Sequence, residues 1–383
     1  MELIAGANFS GRSAALMTRL REKGPAFFIG PHAESALSGL SSTVADEIEI
    51  YRVAEPMRNA FSPLDFSGSA ARKPPTLSGG EQVLLALHCF SVSDYGAIGI
   101  DSALEQLDPD NRDHAISYLA QEAPPGFRAL VADNRLDPRP GLAVHEMTGT
   151  SPEFACDLAA VAGAPARTPV AIKVHGLSFR YPGGREIFRD ASVTLEPDQA
   201  YRLTGANGAG KTTFFKLLAG VLAPAKGRIE LDRNPYEPSR SGNRAFAFAT
   251  QNPDHQWCGA TLAEDVARRR RALARNGIEV PAVEVLARLA ACLGVRSIDQ
   301  HLYELPLVAR KRLSWLWPLS GVMPWAMLDE PTLGQDHATR AALAAAIARL
   351  SASGYGIVFI THDNEFAARI AHRRLEISGG LIA

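Results

Sequence analysis

The chain of 383 residues is long enough for two domains, each with a hydrophobic core of its own. Charged residues make up 21% of it and hydrophobic residues 46%, with a formal net charge of −1, which is typical of a soluble globular protein with no overall attraction to nucleic acid or anionic lipid. No apolar run reaches the ~18 residues of a membrane-spanning helix, and the start MELIAGANFS lacks the pattern of a secretory signal.

The N-terminal half shows apolar strands that end at polar residues. It opens with a strand, a glycine-containing loop and a helix, and the loop is Gly6-Ala-Asn-Phe-Ser-Gly-Arg-Ser13. Further on, Leu77-Ser-Gly-Gly-Glu-Gln82 opens the apolar helix EQVLLALHCF. The strand YGAIGID ends at Asp101, and the strand FRALVAD ends at Asp133. This alternation of strands and helices predicts an α/β domain over residues 1–160.

The same order of elements recurs after a segment of small residues and prolines, AAVAGAPARTPV, which predicts a linker over 161–170. In residues 171–383 the matching segments are AYRLTGANGAGKTT, PWAMLDEPTLGQD and YGIVFITHD. Each half is therefore predicted to hold a mostly parallel sheet with helices on both faces. The C-terminal half also carries LSFRYPGGREIFRDASVTL ahead of its loop, which alternates like paired antiparallel strands. The N-terminal half starts almost at its loop, so it is predicted to be a truncated copy.

The segment Gly205-Ala-Asn-Gly-Ala-Gly-Lys-Thr212 fits the phosphate-loop pattern G-x-x-x-x-G-K-[ST]. Glycines are needed because backbone N–H groups must point inward around phosphate oxygens, where a Cβ would block the approach. Lys211 is predicted to reach the β- and γ-phosphates, and the Thr212 hydroxyl to help hold Mg²⁺. The predicted nucleotide-binding residues of this loop are Gly205, Asn207, Gly208, Gly210, Lys211, Thr212 and Thr213.

The corresponding loop of the N-terminal half keeps only the outline of this pattern. Phe9 stands where the other copy has Gly208, and a bulky residue at positive φ would cost about 1–2 kcal/mol. Arg12 replaces the lysine, although its planar fork is not equivalent to a compact ammonium. This loop is predicted not to catalyse, and whether it binds nucleotide stays open.

Together with the phosphate loop, Leu77–Gln82 resembles the signature motif of the ABC ATPases. In that family two nucleotide-binding domains pack head to tail, and each ATP lies between the phosphate loop of one and the signature of the other. The resemblance implies that the signature contacts the γ-phosphate, which small residues at a helix N-terminus permit. The implied contact residues are Ser78, Gly79, Gly80 and Glu81. A small-residue turn that merely starts a helix is the alternative.

The C-terminal half resembles the same family at further positions. Tyr181 matches the aromatic residue that stacks on adenine, with a core or strand tyrosine as the alternative. Gln251 matches the Q-loop glutamine, which contacts Mg²⁺ and water. Asp329 and Glu330 match the Walker B motif, which implies that Asp329 supports Mg²⁺ and that Glu330 acts as general base. His362 matches the switch histidine that contacts the γ-phosphate.

The departures from the family pattern are complementary. At the signature position the C-terminal half reads Glu304-Leu-Pro-Leu-Val-Ala309, without the serine and glycines. In the N-terminal half Ser102 replaces the catalytic glutamate, and Asp133 is assigned to the histidine position. Head-to-tail pairing of the two halves would give one intact composite site from the C-terminal Walker motifs and the N-terminal signature. The other site would be degenerate, with Arg12, Ser13, Asp101 and Ser102 on its N-terminal side.

The segments Gln251–Gln256 and Thr261–Asp265 are similar to the Q-loop region of energy-coupling-factor (ECF) and cobalt-type importer ATPases. The resemblance implies an ATP-hydrolysing importer subunit that binds ATP and Mg²⁺ and serves uptake of vitamins or metal ions. It would lie on the cytoplasmic face of the membrane, bind integral-membrane coupling or permease subunits and bind no nucleic acid. Its halves would pair within one chain as a pseudo-heterodimer.

Two other functions stay open at this point. One is a soluble ABC ATPase acting on a nucleic-acid or protein partner. The other is a regulatory nucleotide switch that does not hydrolyse ATP, against which Glu330 and His362 argue. The transported substrate and the membrane partner are not evident from the sequence.

Several remaining features have structural interpretations as well as functional ones. Arg268–Arg271 are predicted to form a solvated helix face, with a nucleic-acid or lipid-headgroup contact as the alternatives. Three tryptophans around the Walker B strand are predicted to lie in the core or between the halves; they are Trp315, Trp317 and Trp325. The four cysteines lack metal-ligand or redox spacing, which predicts reduced thiols.

Overall fold

In the computed structural model the chain forms two compact units. The first comprises Met1–Ser151 with Leu333–Asp336, and the second comprises Pro152–Thr332 with His337–Ala383. The structure describes residues 1–5, 12–56, 59–61, 69–121, 127–133, 143–146, 157–163, 170–182, 184–237, 245–295 and 297–383.

The first unit is built on one five-stranded parallel sheet. Its strands are β1 (Glu2–Ala5), β2 (Ala26–Ile29), β3 (Ala97–Asp101), β4 (Arg128–Ala132) and β5 (Ala143–Glu146). Its helices are α1 (Arg12–Arg21), α2 (Val44–Tyr51), α3 (Gly79–Ser91) and α4 (Pro109–Gln121). The strand order β2-β3-β4-β1-β5 is that of a sheet whose strands are joined by crossover helices.

The second unit begins before the predicted linker. Its helix α5 (Leu158–Val161) buries Leu158 in the core of that unit, and the Gly163 N–H donates to the Leu319 carbonyl at 2.9 Å. The small residues of AAVAGAPARTPV allow close packing as well as a linker. The second unit therefore starts at Pro152, before the predicted linker over 161–170. Residues 164–169 of the predicted linker lie outside the described residues.

The second unit has an antiparallel sheet and a mostly parallel one. Its strands are β6 (Ile172–Arg180), β7 (Glu186–Leu195), β8 (Ala200–Thr204), β9 (Lys226–Leu231), β10 (Asn234–Pro235), β11 (Phe246–Ala249), β12 (Trp325–Asp329), β13 (Gly356–Ile360), β14 (Arg373–Ser378) and β15 (Leu381–Ile382). Its further helices are α6 (Lys211–Leu218), α7 (Leu262–Arg275), α8 (Val283–Cys292), α9 (Leu307–Leu313), α10 (Leu316–Leu319), α11 (His337–Ala352) and α12 (Asn364–Ile370). The sheet orders are β10-β9-β6-β7 and β11-β12-β13-β8-β14-β15, and the predicted antiparallel pairing is that of β6 with β7.

The two parallel sheets repeat one topology. Across the first sheet the strands lie in the order β2-β3-β4-β1-β5, and across the second they lie in the order β11-β12-β13-β8-β14. The strands that match by position also match by their order in the chain. The residue after the aspartate of the equivalent strands β3 and β12 has a positive φ in both units, 56° at Ser102 and 46° at Glu330. Each donates its N–H to the end of the next strand, at 2.7 Å to Ala132 and 2.9 Å to Ile360. The two parallel sheets therefore share one strand order and one turn geometry after the aspartate.

This register corrects the assignment of Asp133. Since Ala132 and Ile360 are equivalent strand ends, Asp133 corresponds to Thr361, one residue before His362. The histidine position of the first unit falls on Asn134, which lies outside the described residues. The sequence comparison was wrong by one residue. Polar residues follow both β4 and β13, and they can be aligned in either of two ways unless the pairing of the strands is known.

The core of the second unit contains the three predicted tryptophans. Trp315, Trp317 and Trp325 are 0%, 4% and 0% exposed. Gly356 packs so closely on Trp325 that a Cβ at this glycine would lie 2.4 Å from the indole ring. This contact lies where β12 and β13 begin, since Trp325 and Gly356 are paired as the first residues of the two strands.

Two of the remaining predictions need correction. Arg269 is not part of a solvated face, because its guanidinium pairs with the fully buried Asp265 at 3.0 Å and lies over the Trp317 ring. Among the described cysteines, Cys292 is disulfide-bonded, against the prediction of reduced thiols, whereas Cys89 and Cys258 are free thiols as predicted. Within the described ranges, no helix combines the length and the apolar character needed to cross a bilayer.

Candidate functional site

The predicted phosphate loop joins β8 to α6 and uses its glycines as expected. Gly205, Gly208 and Gly210 have φ values of 146°, 73° and 111°, a region that side chains with a Cβ rarely adopt. A Cβ at Gly210 would also lie 2.5 Å from Ile187. The loop therefore requires glycine at these positions, and it leads directly into the N-terminus of α6 at Lys211, where unpaired N–H groups favour an anion.

The Lys211 side chain folds back over this loop. Its Nζ donates to the Gly205 carbonyl at 2.7 Å and to the Ala206 carbonyl at 3.2 Å. These bonds hold an ammonium group over the loop, close to the α6 N-terminus. Positive charge is thereby concentrated where phosphate oxygens would bind.

Thr212 and Asp329 place a hydroxyl and a carboxylate oxygen side by side next to the loop. The Thr212 Oγ1 donates to Asp329 Oδ2 at 2.9 Å, and Asp329 is 5% exposed. Burial, together with the neighbouring Glu330 carboxylate, raises the pKa of Asp329 to about 6, while the hydrogen bond from Thr212 opposes this rise. A hydroxyl and a carboxylate are the hard oxygen donors that Mg²⁺ prefers, so these residues fit the predicted ion.

Glu330 presents an unsatisfied carboxylate oxygen beside His362. The Glu330 side chain is 6% exposed, and its Oε2 accepts the His362 backbone N–H at 3.4 Å. Its Oε1 makes no hydrogen bond within the described part of the chain and lies 3.6 Å from His362 Nε2. A buried carboxylate oxygen without a donor is a ready acceptor for the proton of a water molecule.

Tyr181 lies against the first turn of α6. Its hydroxyl is 3.1 Å from the Thr213 Oγ1, and its ring meets the Phe179 ring edge to face at a centroid distance of 4.9 Å. The structure thus brings Tyr181 to the phosphate loop, and it remains half-buried.

Lys311 on α9 was not predicted from the sequence, yet it contacts this site. Its Nζ donates to the carbonyls of Thr250, Gln251 and Asp329 at 2.8, 2.9 and 3.1 Å. Burial lowers the pKa of Lys311 to about 8, against the attraction of the Asp329 and Glu330 carboxylates. In the sequence Lys311 stands between Arg310 and Arg312, so no local pattern distinguishes this lysine from the two basic residues beside it.

The signature-like segment of the first unit forms a capped helix N-terminus. Ser78 is the N-cap of α3, where its Oγ accepts the Glu81 N–H while Glu81 Oε2 accepts the Ser78 N–H at 2.7 Å. This capping box leaves Gly79 and Gly80 as the first two helical residues, without side chains over their amides. The segment therefore presents the bare helix N-terminus that an anion would need.

The equivalent segment of the second unit does not present such a terminus. Its N-cap is Pro306, with no side-chain hydrogen bond, and the first helical residues of α9 are Leu307 and Val308. Apolar side chains thus stand where the first unit has glycines.

The predicted degenerate site is a cluster in the first unit. Ser13 and Ser102 both hydrogen-bond the buried Asp101, the latter at 3.1 Å, and Arg12 is 6% exposed. Burial raises the pKa of Asp101, and the Ser13 hydrogen bond and the Arg12 charge oppose this rise. The cluster repeats the Thr212–Asp329 pair but has a serine hydroxyl in place of the Glu330 carboxylate. The loop residues 6–11 lie outside the described residues.

The comparisons with known proteins agree with this geometry. A family model described as "ABC transporter" matches residues 188–333. A Thermosynechococcus vestitus protein named as an ABC transporter ATP-binding protein is 34% identical over 51% of this chain and 70% of its own. The energy-coupling factor transporter ATP-binding protein EcfA of Methanothermobacter thermautotrophicus is 30% identical over 55% of this chain and 70% of its own. A Treponema denticola protein named as an ABC transporter ATP-binding protein is 24% identical over 88% of this chain and 73% of its own.

The family match covers the phosphate loop and the strand that ends at Asp329, and the similarity to EcfA confirms the resemblance to ECF-type ATP-binding proteins. They also confirm the prediction of an ATPase. The chain therefore belongs to the family of ABC transporter ATP-binding proteins, which bind and hydrolyse ATP.

Proposed function

We propose that this chain is the ATP-hydrolysing subunit of an ABC importer of the energy-coupling-factor type, which takes up a vitamin or a transition-metal ion. The observation that carries the proposal is the division of parts between the units. The second unit has the phosphate loop, Glu330 and His362 but a proline-capped α9, whereas the first has the Ser78-capped α3 but neither Lys211 nor Glu330 at the matching positions. Random loss would rarely leave two such complementary remainders.

The proposed catalytic site is composite. Head-to-tail pairing of the two units within one chain would place the α3 N-terminus against a γ-phosphate held by the phosphate loop of the second unit. The reciprocal site, with Arg12 and Ser102 on one side and Leu307 on the other, would then be degenerate. The relative that aligns with 88% of this chain supports a tandem of two such units as a shared organisation.

The residues of the second unit account for the steps of hydrolysis. Lys211 and the loop amides hold the phosphates, and Thr212 and Asp329 would hold Mg²⁺, which neutralises charge on the phosphates when it is bound. Glu330 takes the proton of the attacking water at its Oε1, and His362 orients that carboxylate from 3.6 Å. Tyr181, beside Thr213, is proposed to contact the adenine, and Gln251 to contact the ion and the water.

Arg12→Ala is expected to change ATP turnover by less than about threefold, whereas Lys211→Ala reduces it by about a hundredfold or more, since only Lys211 belongs to the hydrolytic loop. Steady-state hydrolysis by the purified full chain measures both. Each variant removes the basic residue at the same position of its loop, so the pair is matched. Equal losses in the two variants would show that the degenerate site also turns over.

Cell fractionation tests the proposed location on the cytoplasmic face of a membrane. The chain is expected to sediment with membranes, to stay there after nuclease treatment and to leave with alkaline carbonate. Lys211→Ala should behave in the same way, because docking on a membrane subunit does not need hydrolysis. Release by nuclease alone would instead support the alternative, an ABC ATPase that acts on nucleic acid or ribosomes.

A further inference from the structure

Helix α9 occupies the position in the second unit that the signature helix α3 has in the first, yet it carries a buried cation. Lys311 is 3% exposed and lies one turn beyond Leu307, where α9 begins. Burying an ammonium group is costly unless its N–H groups are satisfied. Simple packing at this position would be served as well by leucine or methionine, so the contacts of the charged group need an explanation.

The three acceptors of Lys311 lie at the ends of two adjacent strands. Thr250 and Gln251 follow β11, and Asp329 is the last residue of β12, which pairs with β11 in parallel. All three accept through backbone carbonyls, at 2.8 to 3.1 Å. Lys311 thus joins β11 and β12 just beyond their last paired residues, Ala249 and Leu328. Gln251 and Asp329 follow at this end of the sheet.

Two further contacts tie the same helix region to the same segment. Arg310 pairs with Asp254, with its Nε 2.8 Å from the Oδ1. The Gln256 Nε2 donates to the Ser314 carbonyl at 3.3 Å. The segment 250–256 is therefore held at its start, middle and end by residues 310–314.

We propose that Lys311 is a positioning residue for ATP hydrolysis: it fixes the spacing between Gln251 and Asp329 through their backbone carbonyls. In this arrangement α9, whose N-terminus has lost the signature residues, acts as a clamp on the segment 250–256. The inference rests on the proposed role of the second unit as the hydrolytic one. Lys211→Ala tests that role separately. A fully active Lys211→Ala protein would show that the second unit is not the hydrolytic one, whatever Lys311 does.

Lys311→Met is expected to lower turnover per bound nucleotide by tenfold or more, with the KM for ATP changed by less than about threefold, because Lys311 bonds the ends of β11 and β12 rather than the phosphate loop. Amide hydrogen exchange, measured by mass spectrometry without nucleotide, is expected to become faster in residues 250–256. Arg312→Met is the matched control: Arg312 is 2% exposed on the same helix and bonds Thr339 instead. It is expected to lower thermal stability while leaving exchange in 250–256 and turnover per bound nucleotide unchanged.

Lys311→Gln guards against loss of folding, since a neutral and shorter amide keeps two donors at lower desolvation cost. Its turnover and its exchange in 250–256 are expected to lie between those of the wild type and Lys311→Met. Wild-type turnover in Lys311→Gln with faster exchange in 250–256 would overturn the positioning role. So would Lys311→Met turnover that falls only with the folded fraction, as in Arg312→Met.

Discussion

Replacing Glu330 with glutamine is expected to reduce ATP hydrolysis by about a hundredfold or more while ATP still binds. The substitution keeps the size of the side chain and an oxygen for the His362 backbone N–H, now 3.4 Å from Oε2. It removes the carboxylate that would take the proton of water at Oε1, the atom that makes no hydrogen bond within the described chain. The phosphate loop is untouched, so a fluorescent ATP analogue should still bind with wild-type affinity. Steady-state hydrolysis, measured on the same protein, should be lost.

Two variants control this measurement. Glu365→Gln makes the same chemical change on α12, at an exposed carboxylate that pairs with Arg369 at 2.7 Å, and it should hydrolyse ATP normally. Lys211→Ala should lose hydrolysis together with affinity, because its ammonium group lies over the phosphate loop. Normal turnover in Glu330→Gln would remove Glu330 from its proposed role as general base.

Local patterns predicted the parts of the site whose chemistry is fixed by neighbouring residues. The glycines of the phosphate loop were predictable because positive φ at Gly208 and Gly210 admits little else. The helix start after Leu77 was predicted from small residues ahead of the apolar run EQVLLALHCF, whereas the capping box of Ser78 and Glu81 was found only in the structure. The parallel sheets followed from strands that alternate with helices, since each motif lies at a strand end.

Features that depend on long-range packing were not predictable in this way. The partners of Lys311 lie about 60 residues before it and 18 after it in the chain, so no local pattern names them. The position of Asp133 depended on the pairing of β3 with β4, which a sequence comparison without register cannot fix. Asp133 pairs with Arg112 at 2.7 Å as a fully buried carboxylate.

Gly79→Asp is expected to abolish hydrolysis as completely as Lys211→Ala, although Gly79 belongs to the first unit and the catalytic residues to the second. The new carboxylate would stand at the first position of α3, where the proposed composite site needs room and positive potential for a γ-phosphate. Acidic residues are favourable in the first turn of a helix, so the substitution should not weaken α3 itself. Hydrolysis and thermal unfolding of the purified full chain measure the two effects, with turnover lost and the melting temperature kept.

The matched control for Gly79→Asp is Leu307→Asp, the same change at the first residue of α9. In a composite arrangement α9 faces the degenerate site, so Leu307→Asp should retain turnover within about threefold of the wild type. The opposite pattern is an active Gly79→Asp and an inactive Leu307→Asp. It would mean that the phosphate loop of the second unit works against helix α9 of another copy of the chain. Two active variants would mean that neither helix N-terminus meets the γ-phosphate. Only loss in Gly79→Asp together with activity in Leu307→Asp assigns the signature of the first unit to the phosphate loop of the second.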